Sequence, residues 1–302
     1  MAHEIPLDPA GRADDPQHDH SRGHAAHEVA PDLAYQRLVL VNVVFYGTPG
    51  AGDRGWVLID AGLPATACLI AGAAKERFGP DSRPAAIMLT HGHFDHVSAL
   101  EELAERWDAP VYAHPLELPY LDGSASYPPP DPTVGGGLMA ALSPLYPRGP
   151  INVSRRLQTL PGDGSVPFMP GWTWRHTPGH TPGHVSFWRD ADRTVLAGDA
   201  FITTSQESAY AVATQRPAMH GPPMYYTQNW EEARGSVERL AALEPELAIT
   251  GHGPAMRGAE MRAALHTLAR DFQRIATPEH GRYVEEPARA ESGTAYVPTE
   301  NS

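Results

Sequence analysis

Four of the six residues in His91-Gly92-His93-Phe94-Asp95-His96 carry side chains that seek a metal ion. Such a run constrains the fold more than any other stretch of this chain. Four donors so close in sequence cannot complete two coordination shells, so the fold has to bring distant turns to meet them. Three segments offer the missing groups: His180 in TPGHTPGH, Asp199 in LAGDA and His252 in TGHGP. Each of the four short motifs lies directly beside an apolar run. The predicted donor set is therefore His91, His93, Asp95, His96, His180, Asp199 and His252. Imidazole and carboxylate without thiolate suit zinc first, with iron or manganese as alternatives, and favour a site with open positions over a saturated structural one. Two divalent cations in a catalytic centre are the expectation.

Short apolar runs surround these motifs: LVLVNVVFYG, WVLIDAG, AAIMLTHGH, PVYAH, WTWRHTPGH, HVSFWRD, TVLAGD and ELAITGHG. Their length and their β-branched and aromatic content read as strands. Val97, Leu100, Ala104 and Trp107 recur at helical spacing, as do Trp230, Ala233, Val237 and Leu240, and Met261, Leu265, Leu268 and Phe272. Each set is read as a stripe facing a core. Strands alternating with helices that cover them predict a layered α/β protein. HGHFDH is expected to be the turn between a buried strand and a helix opening at Val97, with Asp95 kept ionised by the helix dipole.

Residues 1–33 carry no apolar period and hold His18, His20, His24 and His27, which predicts a flexible, histidine-rich arm. A catalytic domain is expected over 34–275 and a loosely attached tail over 276–302. The formal charge of −13 over 302 residues opposes a phosphate backbone, so no nucleic-acid partner is expected. Cys68 is the only cysteine, which removes an internal disulfide framework. No apolar run nears the roughly 20 residues of a membrane helix, and no secretory apolar region opens the chain. A cytoplasmic protein with a small-molecule substrate, monomeric or homodimeric, is the expectation.

Two irregular segments break the rhythm, one from Tyr120 to Pro150 and one from Phe201 to Trp230. Long irregular stretches inside a domain are uncommon unless they serve a site. Their apolar side chains either line a pocket or anchor the loops to the core, and the sequence leaves both open. Pocket candidates are Phe94, Met139, Leu142, Ile202, His220, Tyr225 and Tyr226. His114, His176 and His184 lie near the motifs without a defined role, and His266 reads as exposed.

Taken in order, HGHFDH, TPGHTPGH, LAGD and TGHGP resemble the motifs of the metallo-β-lactamase superfamily over roughly residues 34–275. The resemblance implies an αββα sandwich of two mixed sheets with metals at one edge. It implies His91, His93 and His180 on one metal, Asp95, His96 and His252 on the other, and Asp199 bridging both. Asp60, in LIDAG, is implied to orient a ligand histidine from behind. By the same resemblance a metal-bridging hydroxide attacks a carbonyl, and Asp95 passes a proton to the leaving group. Glyoxalase II and lactonase relatives point to an ester, lactone or thioester, with lactonase-like activity preferred. Persulfide dioxygenases of the same superfamily supply the alternative, one iron on His91, His180 and Asp199.

Overall fold

Alternation along the apolar runs decides the layers, because successive side chains of a strand point to opposite faces. The computed structural model describes residues 4–14 and 26–299, so His18, His20 and His24 lie outside the described residues. Seven strands form the first sheet: β1 (His27–Ala30), β2 (Leu33–Leu38), β3 (Val41–Tyr46), β4 (Val57–Ile59), β5 (Ala86–Met88), β6 (Val111–Ala113) and β7 (Leu157–Thr159). The first four are joined antiparallel, whereas β4 to β7 run parallel. The second sheet holds β8 (Trp172–His176), β9 (Val185–Arg189), β10 (Thr194–Gly198), β11 (Leu247–Thr250) and β12 (Met256–Arg257). In it only β10 and β11 are parallel.

Val44, Val57, Ile59 and Met88 turn inward and meet Phe187, Leu196, Leu247 and Ile249 of the opposite sheet in one buried cluster. Val43, Phe45, Leu58 and Ile87 turn outward instead. There they pack beneath α1 (Ala67–Phe78) and α2 (Leu100–Trp107), through Ile70, Phe78, Leu103 and Trp107. On the far side Val195, Ala197 and Ala248 pack beneath α3 (Trp230–Ala241) and α4 (Gly258–Arg270), through Val237, Leu240, Leu265 and Leu268. The result is the expected αββα sandwich, with all three predicted helix stripes buried.

Several expectations are corrected. LVLVNVVFYG is not one strand: the chain reverses at Val39, which adopts φ 63° and is 75% exposed, so β2 and β3 form a hairpin. A β-branched residue in the left-handed region is a true outlier, and no pattern of hydrophobicity announces it. The helix after HGHFDH also begins earlier. Phe94–Val97 is a helical turn of its own, followed by α2 from Leu100. The described parts of the two terminal segments are woven into the fold. Ile5 pairs with Met219, His27–Ala30 is strand β1, and Val297 pairs with Ser126. Tyr283 Oη donates to Pro129 O, and Ala288 N to Gln228 O, so the terminal segment straps both irregular stretches. These ties are backbone and polar contacts far apart in sequence, which composition does not encode.

Candidate metal centre

Strand ends aim the donors at one place. The HGHFDH turn follows β5, His180 lies in the connection from β8 to β9, Asp199 directly follows β10, and His252 follows β11. The sheets are joined there by backbone bonds, Val185 N to Thr90 O (2.9 Å) and Asn42 N to Gly251 O (2.8 Å). Three buried groups of donor atoms result, each within 4.8 Å of one another: His91, His93 and His180; His91, His96 and Asp199; Asp95, His96 and His252. All seven residues named from the sequence are thus brought together and buried.

The hydrogen bonds fix which nitrogen each ring presents. Thr90 Oγ1 donates to Asp60 Oδ2 (2.8 Å), so it accepts from His91 Nδ1 (3.0 Å). Asp60 Oδ2 also accepts from His96 Nδ1 (2.8 Å). Thr227 Oγ1 donates to Pro223 O (2.7 Å) and accepts from His180 Nδ1 (3.1 Å), while His252 Nδ1 donates to Leu40 O (2.6 Å). Four rings therefore carry their proton on Nδ1 and turn Nε2 inward. His93 is reversed, with Nδ1 lying 2.9 Å from His180 Nε2.

Asp199 occupies the middle. Its Oδ2 lies 3.1 Å from His252 Nε2 and 3.4 Å from His180 Nε2, and its Oδ1 lies 3.5 Å from His96 Nε2. Asp95 Oδ2 lies 3.4 Å from His252 Nε2. A Cβ on Gly251 would stand 2.0 Å from Asp199 Oδ1, so only glycine lets that carboxylate turn inward. His91 Nε2, His96 Nε2 and Asp199 Oδ1 are buried and have no hydrogen-bond partner among the described residues. Buried polar atoms without a partner are costly, and inward lone pairs of this kind fit divalent cations.

The proton affinities divide. Burial and the neighbouring imidazoles hold His91 and His93 well below the ordinary histidine value, and burial takes His180 down to about 3. Burial works the same way on His96, but Asp199, Asp60 and Asp95 outweigh it and raise that ring well above its ordinary value. His252 is raised as well, with Asp199 overcoming burial. For Asp199, burial is overcome by His252 and His96, which hold the carboxyl well below its usual range. Asp95 is raised by burial despite His96 and His252. The helix that Asp95 opens is a single turn with little dipole, and burial is the larger influence on this carboxyl.

Pocket candidates separate into two sets. Phe94 contacts Tyr146 and Tyr226, with ring centroids 5.3 and 6.3 Å apart, and Tyr226 lies 4.6 Å from His93. Tyr225 joins this wall through Tyr146 and Tyr226, and Met139 Sδ lies 3.7 Å from Tyr146 Oη. By contrast Ile202 is fully buried and bonded through its backbone to His220, whose Nε2 faces Glu207 Oε2 at 3.6 Å. Leu142 is exposed.

Beyond Asp60, sequence reasoning missed the supporting groups. His184 accepts from Asp199 N at Nε2 (2.9 Å) and meets Thr177 Oγ1 at Nδ1 (2.9 Å), so both its nitrogens are engaged. Glu117 is fully buried and accepts from Gly92 N (3.0 Å), Gly183 N (2.8 Å), Thr181 Oγ1 (2.8 Å) and Tyr127 Oη. The one trace of it in the sequence is an acid between Leu116 and Leu118. His114 stacks on His176 with centroids 4.3 Å apart, and His266 is exposed beside Glu244.

A family model described as the metallo-beta-lactamase superfamily matches residues 37–252, and the chain belongs to that superfamily. It is similar to the probable metallo-hydrolase YflN of Bacillus subtilis (strain 168), at 47% identity over 254 residues, covering 84% of this chain and 96% of the relative. The probable metallo-hydrolase YqgX of the same organism is 33% identical over 176 residues, covering 57% of this chain and 69% of the relative. Among solved structures, MEM-A1, a subclass B3 metallo-beta-lactamase from a soil metagenome library, aligns with a TM-score of 0.57 at 22% identity. That alignment covers 87% of this chain and 97% of MEM-A1, and the likeness is one of fold. No described helix is long and apolar enough to cross a membrane.

Proposed function

We propose that this chain is a metal-dependent hydrolase that holds two divalent cations, zinc first, and cleaves an ester, lactone or thioester, with lactones preferred. The observation that carries the reading is Asp199, set between the His91–His93–His180 and Asp95–His96–His252 groups with oxygen atoms toward both. Held by these residues, two cations would supply an activated water near neutral pH and polarise a substrate carbonyl. Asp60 orients His96 directly and His91 through Thr90. The Asp95 carboxylate, whose Oδ2 lies 3.4 Å from His252 Nε2, takes the proton released on attack and hands it to the departing alkoxide or thiolate. Phe94, Tyr146, Tyr225 and Tyr226 wall one side with aromatic surface, which favours a substrate without strong charge beside the carbonyl.

Metal stoichiometry and oxygen uptake separate this reading from the alternative of a single iron on His91, His180 and Asp199. Metal analysis followed by a panel of lactones, thioesters, aryl esters, phosphotriesters and β-lactams tests the proposal. Two equivalents of metal, with lactone or ester turnover that Asp95→Asn depresses, is the expected result. One equivalent of iron with oxygen uptake on glutathione persulfide would overturn it, and Asp95→Asn with full turnover and metal content would remove the proton role.

A further inference from the structure

Glu117 is a fully buried carboxylate, and the partners of its oxygens among the described residues are backbone N–H groups and hydroxyls. Burying an unpaired anion costs several kcal/mol unless other groups satisfy it. Here four donors do, and their distribution is specific. Oε2 takes Gly92 N and Tyr127 Oη, and Oε1 takes Thr181 Oγ1 and Gly183 N. Gly92 separates His91 from His93, and Thr181 directly follows His180. Each carboxylate oxygen therefore grips one of the two loops whose rings form the three-histidine group. Tyr127 adds a second contact, its ring lying 4.5 Å from that of His93.

We propose that Glu117 is the positioning residue and counter-charge of the three-histidine half: it clamps the His91–His93 turn against the His180 loop, and its anion balances a cation held there by neutral imidazoles. The inference rests on the two-cation reading above. In the other half the buried Asp60 plays the corresponding part, accepting from Thr90 N, Thr90 Oγ1 and His96 Nδ1, and Asp95 and Asp199 add negative charge next to His96. A glutamine of the same size has one acceptor oxygen, and its amide would face a backbone N–H that cannot accept, so one arm of the clamp and the charge are lost.

The test measures binding of Zn2+ and Co2+, not turnover. On a His252→Ala background, which confines tight binding to the three-histidine half, Glu117→Gln is expected to weaken cation binding about 10- to 100-fold. On a His93→Ala background, which leaves the other half, the same change should alter binding by less than about threefold, below the range set for outer-shell partners. Unchanged affinity in the first background overturns the proposal, and so does an equal loss in both, which would mark a merely structural role. Should Glu117→Gln fail to fold, Thr181→Val removes one clamp donor and keeps the anion. It must then weaken the three-histidine half selectively, and no change there also overturns the proposal. Wild-type protein that binds two cations yet turns over no ester, lactone or thioester defeats the proposed function and leaves this inference standing.

Discussion

The two halves of the centre share Asp199 and are equally buried, yet their histidines hold protons in opposite ways. Around His91, His93 and His180 there are few near acids, so burial strips the rings of charge and takes His180 to about 3. Around His96 and His252, with Asp60, Asp95 and Asp199 close by, the same burial is outweighed and both rings hold protons more tightly. Identical side chains at identical depth thus acquire different chemistry from the carboxylates beside them. Beyond the shared Asp199, the first half relies on the distant anion of Glu117 and on backbone clamps, whereas the second has Asp95 within its donor set and Asp60 directly behind it.

Asp199→Ala is the harshest test of that contrast, because it removes the one group common to both halves. Bound metal should fall from two equivalents to at most one, and hydrolysis by about a thousandfold or more, the scale of several kcal/mol of transition-state stabilisation. Elemental analysis and steady-state kinetics read the two effects, and retention of both metals would dissolve the distinction between halves. Asp60→Asn is gentler and more selective. It weakens the acceptor for His96 Nδ1 directly and that for His91 only through Thr90, so cation binding should weaken about 10- to 100-fold in the His96 half and less in the other. Competition with a chromophoric chelator would show it.

Tyr226→Phe probes the wall they share. The Tyr226 hydroxyl is buried without a partner among the described residues, and such a group costs about 1–3 kcal/mol. Removing it should leave the thermal midpoint unchanged or raise it. A clear fall would mean that the hydroxyl has a partner in solution. The smallest expected effect lies behind the three-histidine half, where His114 stacks on His176 and His176 Nε2 donates to Pro182 O (2.8 Å) in the His180 loop. Burial, with His176 beside it, lowers His114 to about 4. A depressed folded-state value means that the unfolded chain binds the proton more readily. Stability is therefore full above about pH 6.5 and declines as pH falls toward 4. In His114→Gln a shallower decline in thermal midpoint across that window is expected, and an identical decline would remove the assignment.

Much of the centre was legible because its donors are chemically unusual and sit at the ends of recognisable strands. His91, His93, Asp95 and His96 announce themselves by density, and TPGHTPGH, LAGD and TGHGP by their order along the chain. Apart from Asp60, which the LIDAG motif announced, the groups that hold them in place were not legible. Glu117 is one acid between two leucines, and what distinguishes it is four donors, from Gly92, Tyr127, Thr181 and Gly183, that only folding delivers. The carbonyl that fixes His252 belongs to Leu40, presented by a turn at Val39 whose backbone conformation its side chain disfavours. Among the pocket candidates, hydrophobicity could not separate Tyr226, against His93, from Ile202, sealed beside His220.

Short β-branched and aromatic apolar runs and the helical stripes of α2, α3 and α4 were enough to predict a layered α/β protein, because burial of apolar faces is a local pattern repeated along the chain. The identity of the donors was likewise written in residue type. Tertiary structure alone decided which ring nitrogen faces inward, which acids raise or leave a histidine's proton affinity, and how the terminal segments strap the irregular loops. Those outcomes depend on hydrogen bonds and charges between residues far apart in the chain, 212 positions in the case of His252 and Leu40, and such distances leave no periodic mark in a sequence.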